Sequence, residues 1–336
     1  MSGDQRDQIL SHALDPFRCF LCGEMVNEAN RTKEHVFPAW MQTDFGLWDQ
    51  SLTLLNGSII PYRQVTVTCC FNCNNKYLRP LEDKVSVAFR EGADSVRSLN
   101  PEVLFLWLAK IYYGLLFREL TLRLDRSNPD NESMITNPEM LRGFGVHHVL
   151  MRRVLGKVSW NLFPASIFVF DALTSEASAA NFDYFDAIDQ PFLTLRCGSS
   201  YVVAFLQDFG AAHDFGVDGF EQVKTAYELV LHPLQCIELD ALFLTVIKQH
   251  KPASLMVGQT RDGWDVMVSP LGGLSGVPPY EPWDRDYYGQ ILESMWKMRT
   301  GSALVATGVG VPTLILDSNG DPFQAPNFDW RPPTVE

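Results

Sequence analysis

The sequence predicts an α+β protein in which a small metal-stapled N-terminal lobe precedes a larger mixed α/β body. Three observations predict it. Two Cys-x-x-Cys pairs, Cys19/Cys22 and Cys70/Cys73, bracket the first quarter of the 336-residue chain, and strand-like segments between them lead into a helical pattern at the second pair. An apolar run over 103–117, broken by Lys110 alone, has the length of a buried helix. From Ser166 onward, short β-like segments alternate with helical ones. The expected boundary lies between residues 95 and 96, where Gly92-Ala93-Asp94-Ser95 gives way to a new helix start at Asn100-Pro101.

Taking the elements in order, residues 2–14 read as a short amphipathic helix with Ile9, Leu10 and Leu14 on one side. Pro38 holds Phe37 extended, so Glu34-His35 should lie on or beside a strand. Asn56-Gly57 marks a turn in the weak hairpin 44–61, and Gln64–Thr68 is a strand that delivers the chain to Cys70. Tyr77, Leu81, Val85 and Phe89 recur at helical spacing, with Pro80 marking a bend. A helix is expected over 101–124, a polar loop over 125–137 and a further helical stretch within 141–160. Beyond it, 167–170, 254–257, 265–268, 304–306 and 313–316 read as strands, 192–196 and 201–206 as a hairpin, and 220–231, 238–249 and 287–298 as helices.

Composition narrows the function classes. Hydrophobic residues make up 46% of the chain and charged residues 20%, as in a folded globular protein. The net charge of −13 argues against a protein that coats nucleic acid nonspecifically, because that binding is driven by Lys and Arg. Residues 1–100 are nearly neutral, with ten Lys and Arg against twelve Asp and Glu, so −11 of the charge falls on 101–336. Five of the seven cysteines lie in the first quarter behind a polar, acidic N-terminus, which fits thiolate-bound metal in a reducing cytoplasm better than a secreted disulfide framework. Cys197 and Cys236 sit in apolar contexts and read as core thiols. The 103–117 run is too short to span a bilayer, so no membrane association is expected.

The chemistry concentrates in residues 19–82. Thiolates three residues apart place two sulfurs on one knuckle, and two such pairs complete the tetrahedral set that structural zinc prefers. Cys69 competes with Cys70, but only Cys70 leaves two residues before Cys73. Within the bracket, neighbours on a strand face opposite ways, so Glu34 and His35 could address a metal and a water separately. A neutral imidazole is a competent base for such a water, and carboxylate and amide oxygens suit Mg²⁺.

These residues together resemble the HNH endonuclease family, whose fold is the ββα-metal or treble-clef arrangement. The resemblance covers residues 1–95, and it implies a larger domain of separate role over 96–336. It implies that Glu34 is a ligand of a catalytic divalent ion, Mg²⁺ or Mn²⁺, that His35 is the general base, and that Asn74, or its neighbour Asn75, is the ligand borne by the helix. Lys76 matches the basic residue that contacts phosphate. The family's loop Asn is replaced here by Val65, which leaves Gln64 or Asn56 for its role. The implied activity is hydrolysis of phosphodiester bonds in nucleic acid, DNA before RNA, in an effector of bacterial defence or restriction. The acidic C-terminal domain would then take a protein partner or an activating ligand, and assembly into oligomers is compatible with this. The competing reading is a catalytically inactive zinc-binding interaction protein.

Several other signals carry less. His147-His148 with Arg152-Arg153 reads as a solvated or partly packed helix rather than a phosphate channel. Gly308-Val309-Gly310-Val311 lacks a dinucleotide fingerprint, and Asp317-Ser318-Asn319-Gly320-Asp321 reads as a turn rather than a calcium loop. Trp264, Tyr280, Trp283, Tyr287 and Tyr288 are explained by core and loop packing.

Overall fold

The structure, a computed structural model, describes residues 15–331 other than 16, 120–121, 124, 126, 129, 131–137, 252–253, 269–279, 304–312 and 318. The expected helix at 2–14, the strand at 304–306 and the Gly308–Val311 segment lie outside the described residues. The protein is a mixed α+β molecule. It divides into two compact units that interleave along the chain. The first comprises 1–88, 99–164 and 254–270, and the second 89–98, 165–253 and 271–336. Residues 96–98 thus belong to the second unit and 99–164 to the first, whereas the sequence suggested a single cut after residue 95.

In the first unit, strand β1 (Arg31–His35) ends at the Glu34-His35 pair, and Pro38 leads into the short helix α1 (Ala39–Asp44). Strands β2 (Ser51–Thr53) and β3 (Ile59–Pro61) form the hairpin anticipated around Asn56-Gly57. Gly57 sits there at φ +74°, a conformation side chains resist. Strand β4 (Thr66–Cys70) pairs antiparallel with β1, with Glu34 opposite Val67 and His35 opposite Thr66. A π-helical turn then spans Cys73–Leu78 and becomes helix α2 (Arg79–Glu91). Pro80 has no N–H to offer a regular i→i−4 ladder, so the widened turn just before it is where the chain absorbs the missing bond.

Helix α3 (Ala93–Ser98) follows in the second unit. Helix α4 (Pro101–Glu119) returns to the first and is buried from Leu104 to Phe117, as a helix apolar on all sides must be. It packs against helix α5 (Pro138–Met151) through Tyr113, which stacks on His147 and His148, and Tyr112, which meets His147 edge-on. Strand β5 (Val158–Trp160) is joined in parallel by the strand Trp264–Val268, itself paired antiparallel with Leu255–Gln259.

The second unit is built on a five-stranded sheet. Strands β6 (Ser166–Ala172), β7 (Phe182–Ala187), β8 (Phe192–Cys197) and β9 (Ser200–Phe205) are antiparallel neighbours in the order β6-β9-β8-β7, and β10 (Val230–Leu231) adds in parallel beside β6. The β8–β9 hairpin turns at Gly198, φ +63°, where the sequence placed it. After the short helices α6 (Ala211–Asp214) and α7 (Glu221–Ala226), the long helices α8 (Pro233–Lys248) and α9 (Arg285–Thr300) complete the core, where Phe243 of α8 packs against Phe168, Phe170 and Phe205 of the sheet. Residues 313–316, expected as a strand, form none. They are held instead by Glu238, which accepts from Thr313 and the Leu314 N–H, and by one bridge from Leu316 to Pro322.

Candidate metal centre and the end of the first strand

The first knuckle is shaped by its own backbone. The Cys19 N–H donates to Glu24 O and the Gly23 N–H to Cys19 O, both at 2.9 Å, a reversal that requires φ +77° at Gly23. The Phe20 N–H donates to Thr68 O at 3.0 Å, which ties the knuckle to β4. At the other end of β4, the Cys73 N–H donates to Cys70 Sγ at 3.4 Å. The Sγ atoms of Cys19, Cys22, Cys70 and Cys73 all lie within 4.8 Å of one another, with Cys22 to Cys70 at 4.0 Å. Tetrahedral zinc with bonds of about 2.3 Å separates its sulfurs by about 3.8 Å, so these four could hold a metal ion such as zinc with little movement.

The sulfurs also constrain one another electrically. Contact with its neighbours, Cys22 first, draws the Cys19 thiol far below its usual range. In turn Cys22 is pushed up to about 12, and Cys69 and Cys73 are pushed up as well, each chiefly through Cys19. A cation bound among the sulfurs would relieve this opposition between Cys19 and its neighbours. Cys69 Sγ lies 3.8 Å from Cys19 Sγ but is fully buried one residue before the ligand position.

The last turn of α5 and the short turn that follows it, Arg152–Leu155, bring two side chains toward the first knuckle. His148, on the stretch expected to be a solvated or partly packed helix, is buried, with Nε2 3.1 Å from Leu21 O, between Cys19 and Cys22. Four residues on, burial lowers the Arg152 guanidinium below its usual range, offset in part by the charges of Cys22, Glu24 and Cys73, and its buried Nε has no hydrogen-bond partner among the described residues.

At the end of β1 the paired side chains diverge. Glu34 is buried and turns inward, where its Oε1 lies 2.5 Å from Lys110 Nζ in the middle of α4. The same ammonium reaches Glu82 Oε1 on α2 at 2.6 Å and His35 O at 2.7 Å, with Val36 O at 3.4 Å. Desolvation works against the charge on Lys110, but Glu34 and Glu82 outweigh it and hold its pKa above the usual lysine value. Burial, offset in part by Lys110, raises the Glu82 carboxyl. His35 is half-buried, with its ring tilted toward Trp48, centroids 6.4 Å apart. Burial first, and then the Lys110 charge, hold its pKa below the ordinary imidazole value.

The helix-borne residues divide likewise. Asn74 Nδ2 donates to Thr32 Oγ1 at 3.1 Å and to Lys33 O at 3.4 Å, clasping β1 to the π turn. Asn75 is exposed and donates to Phe71 O, while Lys76 is exposed with Nζ 5.2 Å from the centre of the Tyr77 ring. Asn56 closes its own turn onto the Ser58 N–H and reaches Arg123 O. Val65 is buried, with its carbonyl accepting from the Val36 N–H.

Glu34 and His35 thus end β1 on different partners, and Asn74 touches the same strand further back, at Thr32 and Lys33. Lys110 and Glu82 completed the cluster unannounced. The signal for Lys110 was present: a charge in the middle of an apolar run that long must find partners once buried.

Within these limits the protein is a mixed α+β protein with a four-cysteine group competent to bind metal. No family model, curated protein or solved structure matched the chain when it was compared with them. Among the described residues, no helix is long and apolar enough to cross a membrane.

Proposed function

We propose that the chain is an HNH-type endonuclease, a hydrolase of phosphodiester bonds in nucleic acid, stapled by one structural zinc. The observation that carries this reading is the placement of His35. The imidazole sits half-exposed at the end of β1, whose partner strand enters a helix inside the four-cysteine group, and the Asn74 amide clasps strand to helix. In this reading His35 takes the proton from the attacking water. Its lowered pKa keeps the ring unprotonated and able to do so at neutral pH. Asn74 holds the strand, and Lys76 stands exposed on the same turn to meet a phosphate. Zinc on Cys19, Cys22, Cys70 and Cys73 would supply the fixed frame and no chemistry of its own.

A catalytic Mg²⁺ or Mn²⁺ would supply Lewis acidity at the scissile phosphate. The carboxylate assigned to it does not fit it as it stands, because Glu34 is bound to the Lys110 ammonium; Asn74 donates through its nitrogen to β1, and only its amide oxygen would serve such an ion. The same observation favours a second reading, a zinc-stapled interaction module without hydrolytic activity.

Incubation of plasmid DNA and of RNA with the zinc-loaded protein, with and without Mn²⁺, separates the two. Cleavage that falls at least about 100-fold in His35→Ala supports the hydrolase, a loss in the range expected for a general base. Cleavage that survives His35→Ala removes it, and binding of nucleic acid without cleavage leaves the interaction module.

A further inference from the structure

We propose that Lys110 takes the place of a divalent ion at Glu34: its ammonium fills the oxygen cage of Glu34, Glu82 and the His35 carbonyl and keeps Mg²⁺ or Mn²⁺ out of it. The cage is made of hard oxygen donors, two carboxylates and a backbone carbonyl, with the Val36 carbonyl behind them. That is the donor type a divalent cation seeks. An ammonium has three protons to give, and the three nearest oxygens lie at 2.5, 2.6 and 2.7 Å, so its hydrogen-bonding capacity is filled.

The lysine has no easy way out. Lys110 is 1% exposed and rises from a helix whose flanking residues, Ala109 and Ile111, are wholly buried. One turn further along, Gly114 lies so close to Val36 that even a Cβ there would come within 3.1 Å of Val36 Cγ2. The helix thus presses on the segment that follows β1, and the ammonium cannot withdraw without moving it. A second cation on Glu34 would share a desolvated carboxylate with the first, where like charges are screened least.

Glu34 therefore serves as a positioning residue. Through Lys110 it is bound to the His35 carbonyl and to α2, which fixes the backbone that carries the imidazole. The inference concerns the same site as the hydrolase reading but stands apart from it, because ion binding is measured without nucleic acid. Its failure would leave cleavage by His35 open, and failure to cleave would leave it untouched.

The test is a Mn²⁺ titration of the zinc-loaded full chain, with free Mn²⁺ read by electron paramagnetic resonance. Four proteins are compared: wild type, Glu34→Gln, Lys110→Met and the double variant. The expected result is that wild type and Glu34→Gln give the same isotherm, or that wild type binds no Mn²⁺ up to millimolar concentration. Lys110→Met should gain a site at least ten-fold tighter than any in wild type, lost again in the double variant. Wild-type Mn²⁺ binding that weakens ten-fold or more in Glu34→Gln overturns the proposal, as does a folded, zinc-retaining Lys110→Met that gains no site. Should Lys110→Met fail to fold, the wild-type titration and its comparison with Glu34→Gln decide the matter alone.

Discussion

A lysine ammonium buried between two carboxylates sets the energetics of the site at the scale of single residues. Removing one partner of such a cluster leaves charge without compensation in the interior. Lys110→Ala should therefore lower stability by about 3–5 kcal/mol, read as a reduced midpoint in urea unfolding, because Glu34 and Glu82 would then face each other unpaired. The sulfur cluster makes an equally sharp demand. Cys70→Ser should abolish the bound zinc found by metal analysis, whereas Cys69→Ser should retain it, since the mutually close set contains Cys70 and omits its neighbour. Around that set, Arg152 should act as a counter-charge to the thiolates. Arg152→Gln is expected to weaken zinc binding about 10- to 100-fold in chelator competition, with Arg152→Lys recovering part of the loss.

Individual elements show how far local pattern reaches. The β1 strand, the 51–61 hairpin, the helix at the second cysteine pair and the β8–β9 hairpin were all legible, because proline, glycine and alternation act within a few residues. Strand β7 was missed for a physical reason. Its Asp183 opposes a strand assignment until Arg299, 116 residues away, pairs with it. Residues 313–316 failed in the other direction: the segment is apolar and β-branched, but Glu238 captures its backbone instead. Gly263 tests a close approach that no periodicity announces. A Cβ there would lie 2.1 Å from Lys157 O, so Gly263→Ala should separate the 255–268 hairpin from β5. Faster amide hydrogen exchange in those strands would check this, with the second unit's sheet unaffected.

For the molecule as a whole, the two units have different sources of stability. The second holds a large apolar core of its own, while the first includes the lobe that four cysteines close. Heating should accordingly resolve two transitions in calorimetry, and a zinc chelator should lower only one of them. Acid should also bear on the first unit. His147 is fully buried and desolvation lowers its pKa to about 4, against 6.5 when exposed. Between those values the unfolded chain binds the extra proton, so stability is complete above pH 6.5 and is lost as pH falls toward 4. The loss is at most about 3 kcal/mol for this residue, and His147→Gln should flatten that part of the pH–stability curve.

Much of this protein was settled by local rules. The spacing of Cys19, Cys22, Cys70 and Cys73 selects a group that could hold metal, Pro38 keeps the chain after Glu34-His35 extended, and an apolar run of helical length makes α4 a core helix. The partners of charged and hydrogen-bonding groups were left to the tertiary structure. Folding placed Lys110 at Glu34 from 76 positions away in the chain, put His148 and Arg152 around a knuckle more than 120 residues earlier, and interleaved the two units. Short-range sterics and periodicity are written in neighbouring residues, whereas a buried charge takes whichever partner the packed chain brings within reach.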